Sequence, residues 1–212
     1  MADQWAKRAP WTGIVAIVMF VVAFIISGET PDFDASTRDI LDFYNGDQTN
    51  QVIASILLLY GSILLVFFAA ALRSALRGAE ALSLLVLIGG TLLASGLVIF
   101  AGLNFTLADL ANSDHLDRIA PGTLQSLNAL NSDFFFPVAA GLGTLMLATA
   151  LSSLRSKALP AWLAWPALVL GIAALTPVGF FAFLLFGVWT LVTSVVLWRS
   201  FAAATPAAPS AP

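Results

Sequence analysis

Six stretches of this chain are apolar and free of charge throughout: residues 11–27, 52–72, 81–103, 134–151, 158–176 and 179–198. Hydrocarbon about 30 Å thick is crossed at 1.5 Å per residue, so a spanning helix needs about 20 mostly apolar residues. Charged residues make up only 10% of the chain, and apolar types 59%. A soluble domain carries roughly 25% charge, and a disordered chain is poorer still in apolar residues. The expected fold is therefore all-α: a polytopic membrane bundle of six transmembrane helices, with short extracytoplasmic helices in two outer segments. Residues 1–200 form a single six-span membrane domain, and residues 201–212 form a flexible Ala/Pro tail.

Two boundaries need argument. The last two stretches are too long together for a single crossing, and Thr176-Pro177-Val178-Gly179 between them supplies a Pro/Gly reversal. The third stretch can continue as helix through Asn104 to Asp109. The amino terminus has Lys7 and Arg8 before an apolar run, as a secretory signal would. That run is long for a cleaved signal and Phe24-Ile25-Ile26-Ser27-Gly28 offers no A-x-A-like site, so a retained first span is expected.

Basic residues orient the bundle, since Lys and Arg concentrate in short cytoplasmic loops. Lys7, Arg8, Arg73, Arg77, Arg155, Lys157 and Arg199 flank alternate span ends; Arg38 and Arg118 are the exceptions. Ten of the twelve acidic residues fall on the opposite side, leaving only Asp3 and Glu80 with the bases. This pattern predicts a multi-pass protein of the cytoplasmic (plasma) membrane with both termini cytoplasmic.

The two outer segments carry most of the polar residues. In the first, Asp34 or Ser36 can cap a short helix that Asn45-Gly46 ends. Ile40, Phe43 and Tyr44 share one face of it. Such a helix lies on the bilayer or over the bundle mouth as a lid or docking surface, unless the segment is simply a solvated connector. In the second, a helix starts after Pro121 and leads into the fourth span. Gln125, Asn128 and Asn131 recur every third residue there as one drifting stripe. With Asn104, Asp109 and Asp133 they make a candidate outer vestibule; the competing reading turns the stripe to water. Span two ends Ala-Leu-Arg-Ser-Ala-Leu-Arg77 and span four ends Ala-Leu-Ser-Ser-Leu-Arg155, an echo consistent with a parallel repeat of two hairpins.

Chemistry is restricted by what the spans lack. Ionisable residues at membrane depth are costly and usually functional, and none lies centrally here. A mid-span lysine for a retinal Schiff base, paired histidines for haem and buried aspartates for proteolysis are all missing. So are a histidine base beside an intramembrane serine and the H-E-x-x-H zinc motif. Cysteine is absent, which removes disulfides, thiol relays and thiolate metal sites. The single histidine, His115, lies between Asp114 and Asp117, a poor match to a defined metal geometry. No cofactor, no metal site and no catalytic residue is assigned. A net charge of −3 argues against a nucleic-acid partner. Gly89, Gly90, Ser95, Gly96, Gly141 and Gly143 permit close helix contact.

Three fragments also carry a resemblance: Gly28-Glu-Thr-Pro-Asp-Phe-Asp-Ala-Ser36, the Ala-Leu-Arg end of span two, and Leu159-Pro-Ala-Trp-Leu-Ala-Trp165. They resemble a family of small six-span integral membrane proteins from actinobacteria. The resemblance implies fold and location and carries no activity. The expected function is a non-enzymatic accessory membrane protein that binds lipid, another membrane protein or a second copy of itself. The alternatives are a small transporter or channel for a neutral or cationic solute, entered through the outer vestibule, and an enzyme built on the outer carboxylates.

Overall fold

Apolar runs that must satisfy their own backbone become helices, and the computed structural model is helical with no strand among the residues it describes, 8–76, 80–114 and 120–203. The elements are α1 (Trp11–Ser27), α2 (Thr37–Gly46), α3 (Gln48–Ala75), α4 (Glu80–Ala111), α5 (Pro121–Ser132), α6 (Phe135–Ser156), α7 (Ala161–Ala174) and α8 (Gly179–Ala203). Lys7, Arg77, His115, Asp117, Arg118 and most of the Ala/Pro tail lie outside the described residues.

Four segments are long and apolar enough to cross a membrane: Gln48–Ala75, Ala81–Ala111, Gly122–Ser156 and Gly179–Phe201. The third joins α5 and α6 across a brief turn at Asp133-Phe134. Two expected spans are shorter. α1 has 17 residues and α7 has 14, or about 26 and 21 Å of helix. In α7 the trimming has a local cause: Pro160 caps its start and the Thr176-Pro177 turn follows its end. Pro166 also removes one N–H from the helix interior.

Successive long helices run antiparallel. A Cβ on Gly13 would meet Phe68, and one on Gly61 would meet Phe20, which pairs α1 with α3 in opposite directions. Gly90 faces Ala69 across α3 and α4, and Gly171 faces Leu147 across α6 and α7. The Trp189 indole of α8 donates to the Leu163 carbonyl of α7 at 3.0 Å, and Trp11 meets Trp198 edge-on at 5.6 Å. The ring thus closes between the first and last helices. Its core is formed by Phe20, Leu65, Phe68, Leu93, Leu142, Leu145 and Phe186, among others.

The tightest seam joins α4 to α6. A Cβ on Gly89 would strike the backbone of Leu145, and one on Gly141 the backbone of Leu93. A little further along, Gly96 faces Val138. Each glycine thus admits the other helix's main chain, which no side chain can do. Where the surroundings are as apolar as the helix faces, such close approach and its dispersion contacts hold helices together.

The alternation sorts the charges. Arg8, Arg73, Arg155, Lys157 and Arg199 are exposed at one end of the bundle, here termed the basic end. Glu29, Asp32, Asp34, Asp39, Asp42, Asp47, Asp109, Asp114 and Asp133 are exposed at the acidic end, where Arg38 pairs loosely with Asp42 at 3.6 Å. Gly141→Val is expected to wedge α4 from α6 and cost about 1–3 kcal/mol. A lower thermal midpoint in detergent checks it, with Gly102→Ala, which has open space around its Cβ, as the neutral control.

Candidate functional site

At the acidic end α4 outruns its neighbours and α2 and α5 fold over it as a cap. Ser36 caps α2 by accepting the Asp39 N–H at 3.2 Å, while its hydroxyl donates to the Asp39 carboxylate at 2.7 Å. The helix then turns Ile40 and Tyr44 inward, both fully buried, against Leu107, Ala108 and Ala111 of α4 and Leu124 of α5. The face seen in the sequence is therefore used to cover the bundle. The 28–36 connection is strapped down in turn, the Asn128 amide donating to the Asp32 carbonyl at 2.7 Å, and α2 itself is held by the Asn112 amide, which donates to the Tyr44 carbonyl at 3.1 Å.

Beneath the cap lies a buried polar network. The Tyr44 hydroxyl donates to Asn104 Oδ1 at 3.2 Å. Asn104 Nδ2 reaches Gln51 Oε1 at 3.0 Å and Ser55 Oγ at 3.2 Å. Gln51 Nε2 donates to the Ser27 carbonyl at 2.7 Å, and the Ser27 hydroxyl donates back to Gln51 Oε1 at 2.8 Å. Four elements, α1 to α4, meet on these five side chains. Burial pushes the Tyr44 phenol up from its ordinary value of 10.0, and the adjoining Asn131 side chain offsets this only in part.

Beside the network, a groove of about 730 Å³ opens on the flank of the bundle between α1 and α8. Buried Leu97 of α4 and Val138 of α6 form its floor; exposed Val21, Ile25, Phe180 and Leu184 form its rim. Phe24 and Phe183 approach edge-on at 6.1 Å across it. Its acidic end alone is polar, built from Glu29, Thr30, Asn131 and Ser132. Asn131 is 2% exposed and its Oδ1 has no hydrogen-bond partner. Among the described residues no Lys, Arg or His lines the groove.

The six vestibule candidates separate. Asn104, Asn128 and Asn131 are buried, whereas Asp109, Gln125 and Asp133 are exposed. The stripe drifts around α5, so its first member faces solvent while the later two turn under the cap. Asn104 is spent within the network, Asn128 holds the 28–36 connection, and Asn131 alone reaches the groove. Gln51, Ser55 and Ser27 escaped the sequence reading. Gln51 precedes an apolar run, where it reads as a boundary residue, yet its side chain bonds to both α1 and α4.

The remaining intramembrane hydroxyls fall into two groups. Ser62, Thr91 and Thr144 donate to the carbonyl four residues back. Ser152, Ser153, Thr190, Thr193 and Ser194, all toward the basic end, are buried without a hydrogen-bond partner. Among the described residues no group of three or more His, Asp or Glu is gathered to hold a metal ion.

Tyr44→Phe keeps the ring's packing but strands Asn104 Oδ1, an expected loss of about 1–3 kcal/mol at pH 7. The unfolded phenol ionises near pH 10 while the folded one stays protonated, so the site's contribution is intact below that pH and falls as pH rises above it. The thermal midpoint of the wild type should therefore drop between about pH 10 and 11 (the free phenol value and about one unit above it) more steeply than that of Tyr44→Phe. Compared with family models, curated proteins and solved structures, the chain matches none.

Proposed function

We propose that this chain is a non-enzymatic integral protein of the cytoplasmic membrane that holds a lipid or similar amphiphile in the groove between α1 and α8. One observation carries the reading: a wide apolar groove opens sideways, along the helix direction, with polar groups confined to one end. A water-soluble solute has nothing to bond to along most of its length. An acyl chain fits its walls, and the size lies within the roughly 300–1,000 Å³ of small-molecule sites. The self-satisfied network of Tyr44, Asn104, Gln51 and Ser55 supports a structural role for the buried amides rather than a solute path.

The topology belongs to the same proposal. In it α1 and α7 also cross, making six spans; the basic end is cytoplasmic and the acidic end external, with both termini inside. The positive-inside rule supports this. Their shortness is met by tilting neighbours and by local thinning of the bilayer. The family resemblance of the 28–36 and 159–165 fragments agrees with it.

A small transporter or channel for a neutral or cationic solute is the second reading. It rests on the five partnerless hydroxyls near the basic end, which a hydrated path would satisfy. An intact protein that releases no entrapped neutral or cationic solute from proteoliposomes excludes it.

Two measurements test the proposal. Because the chain has no cysteine, Ser126→Cys and Ser200→Cys each supply a single thiol. In intact cells a membrane-impermeant maleimide should label the first and spare the second; the reverse pattern would invert the topology. For the groove, native mass spectrometry of protein released from nanodiscs should show a retained lipid, and Leu184→Trp should expel it. Protein that emerges free of lipid under conditions that keep the fold would end the amphiphile reading.

A further inference from the structure

Resting on that reading, the shape of the seam between α1 and α8 bears on which leaflet supplies the amphiphile. The two helices run antiparallel and are clasped toward the basic end. Trp11 meets Trp198 edge-on at 5.6 Å. A Cβ on Gly13 would strike Ser194 Oγ of α8 and the Phe68 ring of α3, and one on Gly187 would rest against Ile17 Cγ2 at 3.6 Å. Contacts made at glycines bring the main chains themselves close together. Past Met19, the middle residue of α1, the contact changes in kind. Phe24 and Phe183 meet there through their rings, 6.1 Å between centroids, so two large side chains bridge a gap that a single Cβ would fill at Gly187. Every groove residue on the two helices belongs to this splayed half: Val21, Phe24 and Ile25 on α1, and Phe180, Phe183 and Leu184 on α8. Half-buried Phe100 of α4 and Phe135 of α6 line the same space.

We propose that the groove takes a phospholipid from one leaflet only, the leaflet at the acidic end. The acyl chain enters sideways between the splayed halves of α1 and α8, and the head stays at the acidic-end interface. Two features of the seam act together. The polar lining of Glu29, Thr30 and Ser132 lies at that end, so a head left there remains among polar groups. A lipid of the opposite leaflet has its head at the basic end, where α1 and α8 are in contact from Trp11 to Ile17. To occupy the groove it would have to draw that head through hydrocarbon and lose its hydration. The seam therefore admits a chain and does not pass a head: it holds a lipid in its own leaflet and does not turn it over.

A lipid confined to one leaflet tests this. Full-length Ser126→Cys protein, whose single thiol lies at the exposed acidic end, is reconstituted in both orientations in sealed phosphatidylcholine vesicles. A phosphatidylcholine with a photoactivatable diazirine on its acyl chain is exchanged into the outer leaflet alone. A membrane-impermeant biotin maleimide then tags the molecules whose acidic end faces outward. After illumination the tagged and untagged molecules are separated, and adducts at Phe100 and Phe135 are read by mass spectrometry, with exposed Val169 of α7 as the background. Adducts at the two phenylalanines should exceed background in tagged molecules and be lost from untagged ones, and Leu184→Trp should remove them from the tagged. Equal adducts in the two populations, or adducts in untagged molecules alone, overturn the leaflet assignment while leaving the groove as an amphiphile site. Adducts at background in both populations, or adducts that Leu184→Trp does not reduce, overturn the groove reading and this inference with it.

Discussion

The close approach of α4 and α6 is the contact on which the rest of the molecule depends. Gly89 and Gly141 each admit the partner's main chain, and the two helices so joined touch nearly every other element. α4 carries α3 on one flank and both cap helices beyond its end, while α6 carries α7. The groove floor is itself this seam, since Leu97 and Val138 sit one and two turns from the glycine contact. Side chains at the seam would push the floor apart and merge it with the bundle centre. Small residues here therefore set the shape of the candidate site as well as the stability of the bundle.

How far the chain could be read without a structure differs by level. The helices were legible because charge-free apolar runs have few alternatives, and their ends were legible where Pro177 or Ser36 imposes a local rule. The inward face of α2 was legible from Ile40 and Tyr44, four residues apart. The length of α7 was less so, because hydropathy does not register where the backbone stops bonding to itself. The site was mostly illegible. Its walls come from α1 and α8, at opposite ends of the chain, and nothing local at Val21 or Leu184 marks them as neighbours. The polar stripe on α5 was correctly seen as a stripe, but its roles are divided by the cap: Gln125 lies outside it, Asn128 ties it down and Asn131 lies at the groove. Gln51 was missed because a polar residue at the start of an apolar run looks like the end of a span.

The polar network also explains why so many uncharged polar groups can sit beneath an apolar cap. An unpaired amide there would cost more than a hydrogen bond contributes, so a partly satisfied set is worse than none. Here Asn104 and Gln51 have their amide groups occupied, and the shortage is displaced to the edge, at Asn131 and Asn128.

One residue, Asp47, separates the cap helix α2 from the long helix α3. Its N–H bonds back to Phe43 at 3.1 Å, and its carbonyl accepts from Gln51 at 3.0 Å. It belongs to both hydrogen-bond ladders, so the joint has no slack. A flap hinged on a loose loop could swing and leave the rest of the molecule at rest. This one cannot: displacing α2 loads the first turn of α3, and with it the Gln51 side chain that grips α1 and α4. The cap and the bundle beneath it are therefore joined as a lever arm is to its fulcrum, and force on the cap helix is carried into the bundle.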